Sequence, residues 1–138
     1  TTAKAQLLKR VKQRVAAGRV GKGQDSETLA TAGKMVENDR VDDESVADLL
    51  DQGKRELVTV CLALKSRIPL ANVQRLLEAR APRAVTALAW RCGLRMKTAY
   101  LLQAKLAMIP PGELLPARDG QYYPLSKAEL EKQLSFFL

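Results

Sequence analysis

The chain has 138 residues, a hydrophobic fraction of 46% and a net charge of +8, which together fit one basic globular domain. It contains no histidine, the residue that most often serves as general base, metal ligand or partner of a nucleophile, so the composition argues against an enzyme. Aromatic residues make up only 4%, so the core must consist mainly of Leu, Val, Ile and Ala, which favours an all-α fold.

The low cysteine content and the absence of long apolar runs predict a location in the cytoplasm. Cys61 and Cys92 lie inside apolar helical runs, and we expect two buried thiols in a reducing cytosol rather than a disulfide. No signal-peptide pattern is present, and no apolar run approaches the roughly 20 residues of a membrane-spanning helix. We therefore expect a cytoplasmic protein without a membrane span, and the start at Thr1 rather than Met predicts a processed or excised piece of a longer chain.

The charge is arranged in blocks along the sequence. Residues 1–22 carry +7, residues 23–53 carry −7, residues 54–105 carry +9 and residues 106–138 carry −1. Blocks of opposite sign either pair with each other inside one fold or form separate surfaces for partners, and the sequence leaves both possibilities open.

Residues 3–17 predict a basic amphipathic helix, in which Leu7, Leu8, Val11 and Val15 share one face. This helix either docks on the rest of the domain or binds an acidic partner or a membrane surface in trans. The glycine-rich stretch that follows, residues 18–26, predicts a flexible linker, because its spacing does not match a phosphate-binding loop. We divide the chain into a basic N-terminal segment, residues 1–22, and a helical repeat domain, residues 23–138.

The acidic block predicts two helices and the turn between them. The first covers residues 26–37, and the second begins at Asp42 or Asp43 as its N-cap and runs to residue 52. Val46, Leu49 and Leu50 should point inward, and Gly53 should end the second helix. Capping explains the two aspartates better than metal binding, because no further ligand cluster follows.

A fourteen-residue phrase occurs twice, at residues 63–76 and 89–102, which are 26 positions apart. Apolar residues occupy the same offsets in both copies: Ala63, Ile68, Val73 and Leu76, and then Ala89, Leu94, Ala99 and Leu102. Such a unit predicts a helix, a tight turn and a second helix, which bury their apolar faces best against a copy of themselves. The predicted helices are 54–66, 69–78, 82–92 and 95–108.

Local residues predict how several of these helices begin and end. Pro69 and Pro82 should occupy first helical positions, where a missing N–H costs nothing. Gly93 suits a turn with positive φ, and since Arg67 holds that position in the first copy, we expect the first turn to differ slightly. A last helix should start at Ser126, which forms a capping box with Glu129.

The second copy of the phrase also matches a helix-turn-helix, the pattern of many DNA-binding proteins. In that alternative Arg95, Lys97 and Thr98 would contact DNA. The helix over residues 95–108, however, is apolar on two nearly opposite faces, one of which carries Leu101, Ala104 and Met108. We expect neighbouring helices to cover both faces, which favours a helix stack over a DNA reader.

Two runs of residues carry a resemblance to a known family. VTVCLALKSRIPLANVQRLLEARAPRAVTALAWRCGL and the tail LLPARDGQYYPLSKAELEKQLSFF resemble the C-terminal part of the bacterial family called domain of unknown function 2336, typical of alphaproteobacteria. The resemblance spans residues 46–137. It implies a HEAT-like stack of antiparallel helix pairs, an α-α superhelix with about seven to eight helices, and it implies no reaction, cofactor or catalytic residue.

The sequence therefore predicts a non-enzymatic scaffold or adaptor domain that binds an acidic protein surface and needs no cofactor or metal. The expected contact residues are basic: Lys65, Arg67, Arg75, Arg80, Arg83 and Arg91, joined by Lys9, Arg10, Lys12 and Arg14. The helix-turn-helix, and with it a nucleic-acid partner, is the alternative. An enzyme is the least supported hypothesis; its candidate residues would be Arg118, Asp119 and Tyr122 in the tail, and they lack partners at catalytic spacing.

Overall fold

The computed structural model describes residues 24–138, and this part of the chain is built from helices. It contains seven α-helices and no strand, apart from one isolated β-bridge between Arg118 and Tyr122. The elements are α1 (Gln24–Glu37), α2 (Asp43–Asp51), α3 (Arg55–Ser66), α4 (Leu70–Glu78), α5 (Pro82–Arg91), α6 (Met96–Leu101) with its π-helical continuation (Leu102–Leu106), a 3-10 turn (Pro111–Glu113) and α7 (Lys127–Ser135). The predicted all-α class is confirmed, while the helix predicted over residues 3–17 lies outside the described residues.

The helix starts follow local capping chemistry. Asp42 is the N-cap of α2, and its Oδ1 accepts the Ser45 N–H at 2.8 Å. The capping box of α7 is confirmed, because Ser126 and Glu129 each accept the other's backbone N–H at 3.2 Å. Pro82 is at the start of α5 as predicted, whereas Pro69 precedes α4 as its N-cap residue.

Each of the first six helical segments ends at a residue with positive φ. These residues are Asp39, Gly53, Arg67, Arg80, Gly93 and Met108, at intervals of 13 to 15 positions. At four of them the next N–H bonds to the carbonyl five residues earlier, for example Ile68 to Ala63 at 3.2 Å and Leu94 to Ala89 at 3.1 Å. This left-handed cap satisfies the last carbonyls and turns the chain back on itself, so the segments become short antiparallel pairs.

The two copies of the repeated phrase fold alike. All eight of the apolar residues that they share are buried, with at most 4% of their surface exposed. The expected difference between the two turns is wrong, because Arg67 has φ 61° where Gly93 has φ 77°. The cap geometry therefore imposes the left-handed conformation on a residue with a Cβ.

The first helices of the pairs lie side by side. Lys65 near the end of α3 pairs with Asp39 after α1 at 3.2 Å, and the Cys61 thiol meets the Met35 sulfur at 3.8 Å. Arg91 at the end of α5 donates from Nε to the Ser66 carbonyl at 3.1 Å. Thus α1, α3 and α5 run in the same direction. Helix α5 is buried over residues 84–89 and lies at the centre, and α7 packs against it.

The second helices do not form a simple ladder, because α2 lies next to α6. The Asp43 carboxylate of α2 accepts the Arg95 N–H at 2.8 Å and the Thr98 hydroxyl, both at the start of α6. At the other end, Asp51 pairs with Lys105 at 3.1 Å. Helix α4 is held instead by the C-terminal segment, since the Asn72 amide donates to the Phe137 carbonyl at 2.5 Å.

The helix predicted over residues 95–108 differs from expectation in two ways. It is α-helical to Leu101 and π-helical to Leu106, with the Ala107 N–H bonded to the Leu102 carbonyl at 2.9 Å. Only one flank is covered fully, since Leu101 is half-buried and Met108, outside the helix, is 51% exposed. The expectation that neighbours cover both faces is therefore wrong at Met108, because the left-handed turn directs that residue to the surface.

Gln103 is a buried polar residue that holds in place the loop between the π-helix and α7. Its amide accepts the Leu115 N–H at 2.7 Å and donates to the Leu115 carbonyl at 3.0 Å and to the Thr86 hydroxyl at 3.2 Å. The side chain is fully buried, so these bonds replace all of its contact with water. The widened π-helical turn thus presents Gln103 to the loop that leads to α7.

Exchanging the turn residues should change stability in opposite directions. Arg67→Gly removes the steric cost of a left-handed side chain and should raise the free energy of unfolding by about 0.5 kcal/mol after the entropy of the unfolded glycine is deducted. Gly93→Ala should lower it by about 1 kcal/mol, because a Cβ there meets nothing within 4 Å and only the backbone is strained. Urea unfolding measures both changes. The control is Lys97→Gly at an exposed position within α6, which should lower the free energy of unfolding by about 1 kcal/mol. Equal losses at all three positions would contradict the cap assignment.

Replacing Gln103 should loosen the loop over residues 109–125. Gln103→Leu leaves the backbone of Leu115 without its partners and should cost about 3 kcal/mol of unfolding free energy. Amide exchange in that loop should accelerate more than exchange in α3. The exposed Gln121→Leu serves as the control, with a change below about 0.5 kcal/mol; similar costs for the two variants would refute the role of the Gln103 amide.

Candidate interaction surfaces

The parallel course of α1, α3 and α5 gives the array two edges. We call the edge with the turns inside the pairs, residues 38–42, 67–69 and 92–95, the turn edge. The opposite edge holds the turns between pairs and the end of the π-helix, residues 52–54, 79–81 and 107–109. Helix α5 has ten residues and a length of about 15 Å, so side chains on the two edges belong to different surfaces.

The predicted basic residues divide between these edges. Lys65, Arg67 and Arg91 lie at the turn edge, whereas Arg80 and Arg83 lie at the opposite edge. Arg75 is on the exposed side of α4, with its guanidinium 3.5 Å from the Phe137 carbonyl oxygen. Lys9, Arg10, Lys12 and Arg14 lie outside the described residues. The six described residues are thus spread over the two edges and the exposed side of α4, and their role in binding a partner stays a prediction.

The turn-edge cations differ in how far the fold uses them. Lys65 forms an ion pair with Asp39, and the Arg91 Nε donates to the Ser66 carbonyl. The exposed side chain of Arg67 makes no hydrogen bond or ion pair with residues 24–138. Arg40 is also exposed and lies at the first turn. The sequence analysis did not include Arg40 among the contact residues. The turns recur every 13 to 15 residues, and this spacing would have predicted a turn at Arg40.

Part of the acidic block is engaged with the fold. Two ion pairs, Lys65 with Asp39 and Lys105 with Asp51, join it to the basic block that follows. The Ser45 backbone N–H holds the pKa of Asp42 below its ordinary value, with a smaller contribution from the charge of Arg40. The Asp43 carboxylate accepts the Arg95 N–H at the start of α6. Internal pairing, one of the two possibilities that the sequence left open, thus operates between these blocks.

The residues proposed for DNA contact are not presented together. Arg95 and Lys97 are exposed, but Thr98 is buried and its hydroxyl donates to Asp43. A helix that reads DNA places its N-terminal side chains against base edges in the major groove. Here the Asp43 carboxylate of α2 holds the Thr98 hydroxyl, so this side chain is not free to contact a base edge.

A groove opens at the opposite edge between α3, α4 and the end of the π-helix. Its volume is about 330 Å³. The Arg55 guanidinium crosses one end and donates to the Leu106 carbonyl at 2.7 Å. Its floor is apolar, and its rim consists of the exposed Met108 and of charged side chains: Val60, Leu70, Leu77 and Leu106 on the floor, and Arg55, Glu56, Glu78 and Arg80 on the rim. This combination suits an amphipathic segment.

The tail forms a short hairpin that is fixed at its base. Tyr123 donates its hydroxyl to the Leu94 carbonyl at 2.6 Å, and burial, with a smaller effect of Asp43, raises the pKa of this phenol. At the tip, Arg118, Asp119 and Tyr122 are exposed, and Asp119 and Gly120 both have positive φ. The hairpin is therefore bonded through Tyr123 to the turn between α5 and α6.

The two cysteines are buried and free, as predicted. Burial raises the pKa of each thiol to about 12, so both are protonated at neutral pH. Within residues 24–138 no group of three or more His, Cys, Asp and Glu side chains is placed to hold a metal ion. In the same range no helix combines the length and the apolar character that crossing a bilayer requires.

Comparison with known proteins identifies a family. No curated protein and no solved structure is significantly similar to the chain. The family model described as "Uncharacterised protein conserved in bacteria (DUF2336)" matches residues 1–126, which includes the basic N-terminal segment that the resemblance over residues 46–137 left out. Because the match covers most of its length, the chain belongs to the bacterial family DUF2336.

Proposed function

We propose that this domain is a non-enzymatic interaction module of the bacterial cytoplasm, which binds an acidic protein surface through its turn edge. The observation that carries the proposal is a set of exposed arginines, Arg40, Arg67, Arg91 and Arg95, at the three turns of that edge. Arg67 in particular occupies a left-handed position that favours glycine and makes no side-chain bond within residues 24–138.

The geometry suits a partner with several carboxylates in a row. Arg67 and Arg91 lie at the ends of neighbouring helices, because the Arg91 Nε donates to the carbonyl of Ser66, the residue before Arg67. Guanidinium binds carboxylate in a bidentate manner, and a row of such groups steers an acidic surface into register. Exposed pairs of this kind weaken as salt rises.

Two further features support an adaptor over the other functions. Histidine is absent and both thiols are protonated, so neither usual pairing of nucleophile and base is available. The buried Thr98 and its bond to Asp43 disfavour a DNA reader. Free thiols also fit a reducing cytoplasm.

Binding of a fluorescent peptide of alternating Glu and Ser tests the proposal by anisotropy at low and high salt. Arg67→Ala with Arg95→Ala should weaken binding about tenfold at low salt, roughly 1.4 kcal/mol for the two exposed charges together. The matched control is Arg80→Ala with Arg83→Ala, which removes equal charge from the opposite edge and should leave affinity unchanged.

Two outcomes would contradict this assignment. Equal weakening by both double variants would mean that net charge, not the turn edge, attracts the peptide. Tighter binding of duplex DNA than of the peptide, lost in Lys97→Ala and kept in Arg67→Ala, would favour the helix-turn-helix alternative.

A further inference from the structure

The groove at the opposite edge lies where the chain enters the described structure. The first turn of α1 lines a neighbouring hollow through Glu27 and Thr28, together with residues 53–57. That hollow shares Arg55 and Glu56 with the groove. The six residues 18–23 can span up to about 20 Å, so residues 3–17 are within reach of the groove floor.

The groove has the electrostatic character to receive a basic segment. Helix α4 and the π-helix both end at it, and the carbonyl ends of helices carry partial negative charge. Glu78 stands at the end of α4, where a carboxylate is unfavourable, and it forms no ion pair within residues 24–138. The charged side chains of the rim, Arg55 and Arg80 with Glu56 and Glu78, balance in formal charge, so the partial negative charge of the helix ends remains.

We propose that residues 3–17 of the same chain bind in this groove, with Leu7, Leu8, Val11 and Val15 on its apolar floor. These residues carry five basic side chains and no acidic one, which matches Glu78 and the two helix ends. Met108, held outside the helix by its left-handed turn, forms the lip that contacts them. The family match, which runs without a break from residue 1, also treats this segment as part of the domain.

Paramagnetic broadening of methionine methyl signals tests this docking in the full chain. A spin label is attached to Ala5→Cys, since Cys61 and Cys92 are buried and unreactive. The Met108 methyl signal should lose most of its intensity, while Met96, at the turn edge, should keep it. Leu8→Asp with Val11→Asp should restore the Met108 signal.

A matched control and a mixing experiment keep the proposal falsifiable. Gln6→Asp with Gln13→Asp adds the same charge on the opposite face of the predicted helix and should leave the broadening intact. Unchanged Met35 and Met96 signals show that each variant is folded. Equal broadening of Met108 in both double variants would overturn the proposal. So would broadening of the Met108 signal in isotope-labelled chains without a spin label when spin-labelled chains are added, because the segment would then bind in trans.

Discussion

One carboxylate joins the first helix pair to the start of the third. Asp43, at the start of α2, accepts the Arg95 N–H at 2.8 Å and the Thr98 hydroxyl, more than fifty positions along the chain. The start of a helix has unpaired N–H groups and partial positive charge, so a carboxylate supplied by another helix satisfies both at once. The N-cap residue of α6, Arg95, offers no side-chain acceptor of its own. Helix α6 therefore depends on α2 for its cap, and α2 must lie beside it.

This adjacency determines which surfaces remain for binding. Because α2 lies beside α6, helix α4 packs against α3, α5 and the C-terminal segment, and the groove stays open between α3, α4 and the π-helix. The same contact buries Thr98, one of the three residues that a DNA reader would use. At the turn edge, exposed arginines of successive turns lie beside the exposed carboxylates Asp39 and Asp42, of which Asp39 is paired with Lys65. The two edges thus differ in character, because one presents exposed charged side chains and the other an apolar groove with a charged rim.

Much of the local structure could be predicted, because it depends on residues close in sequence. The matching apolar offsets of Ala63 and Ala89, the cap at Asp42 and the box of Ser126 with Glu129 are all local signals. The contacts that position the candidate surfaces are long-range. No periodicity distinguishes Thr98 as a buried partner of Asp43, or Gln103 as a buried amide that holds Leu115. Helical-wheel reasoning also assumed α-geometry through Met108, whereas the π-turn shifts the later residues and the left-handed cap exposes Met108.

The stability of Asp43 variants tests this account most directly. Asp43→Ala removes the acceptor of two α6 donors and should lower the free energy of unfolding in urea by about 2 kcal/mol, with faster amide exchange at the start of α6. Asp48→Ala, an exposed carboxylate on the same helix, should change it by less than about 0.5 kcal/mol. Equal effects of the two substitutions, with exchange in α6 unaltered, would show that α2 does not hold α6 and would contradict the proposed arrangement of both edges.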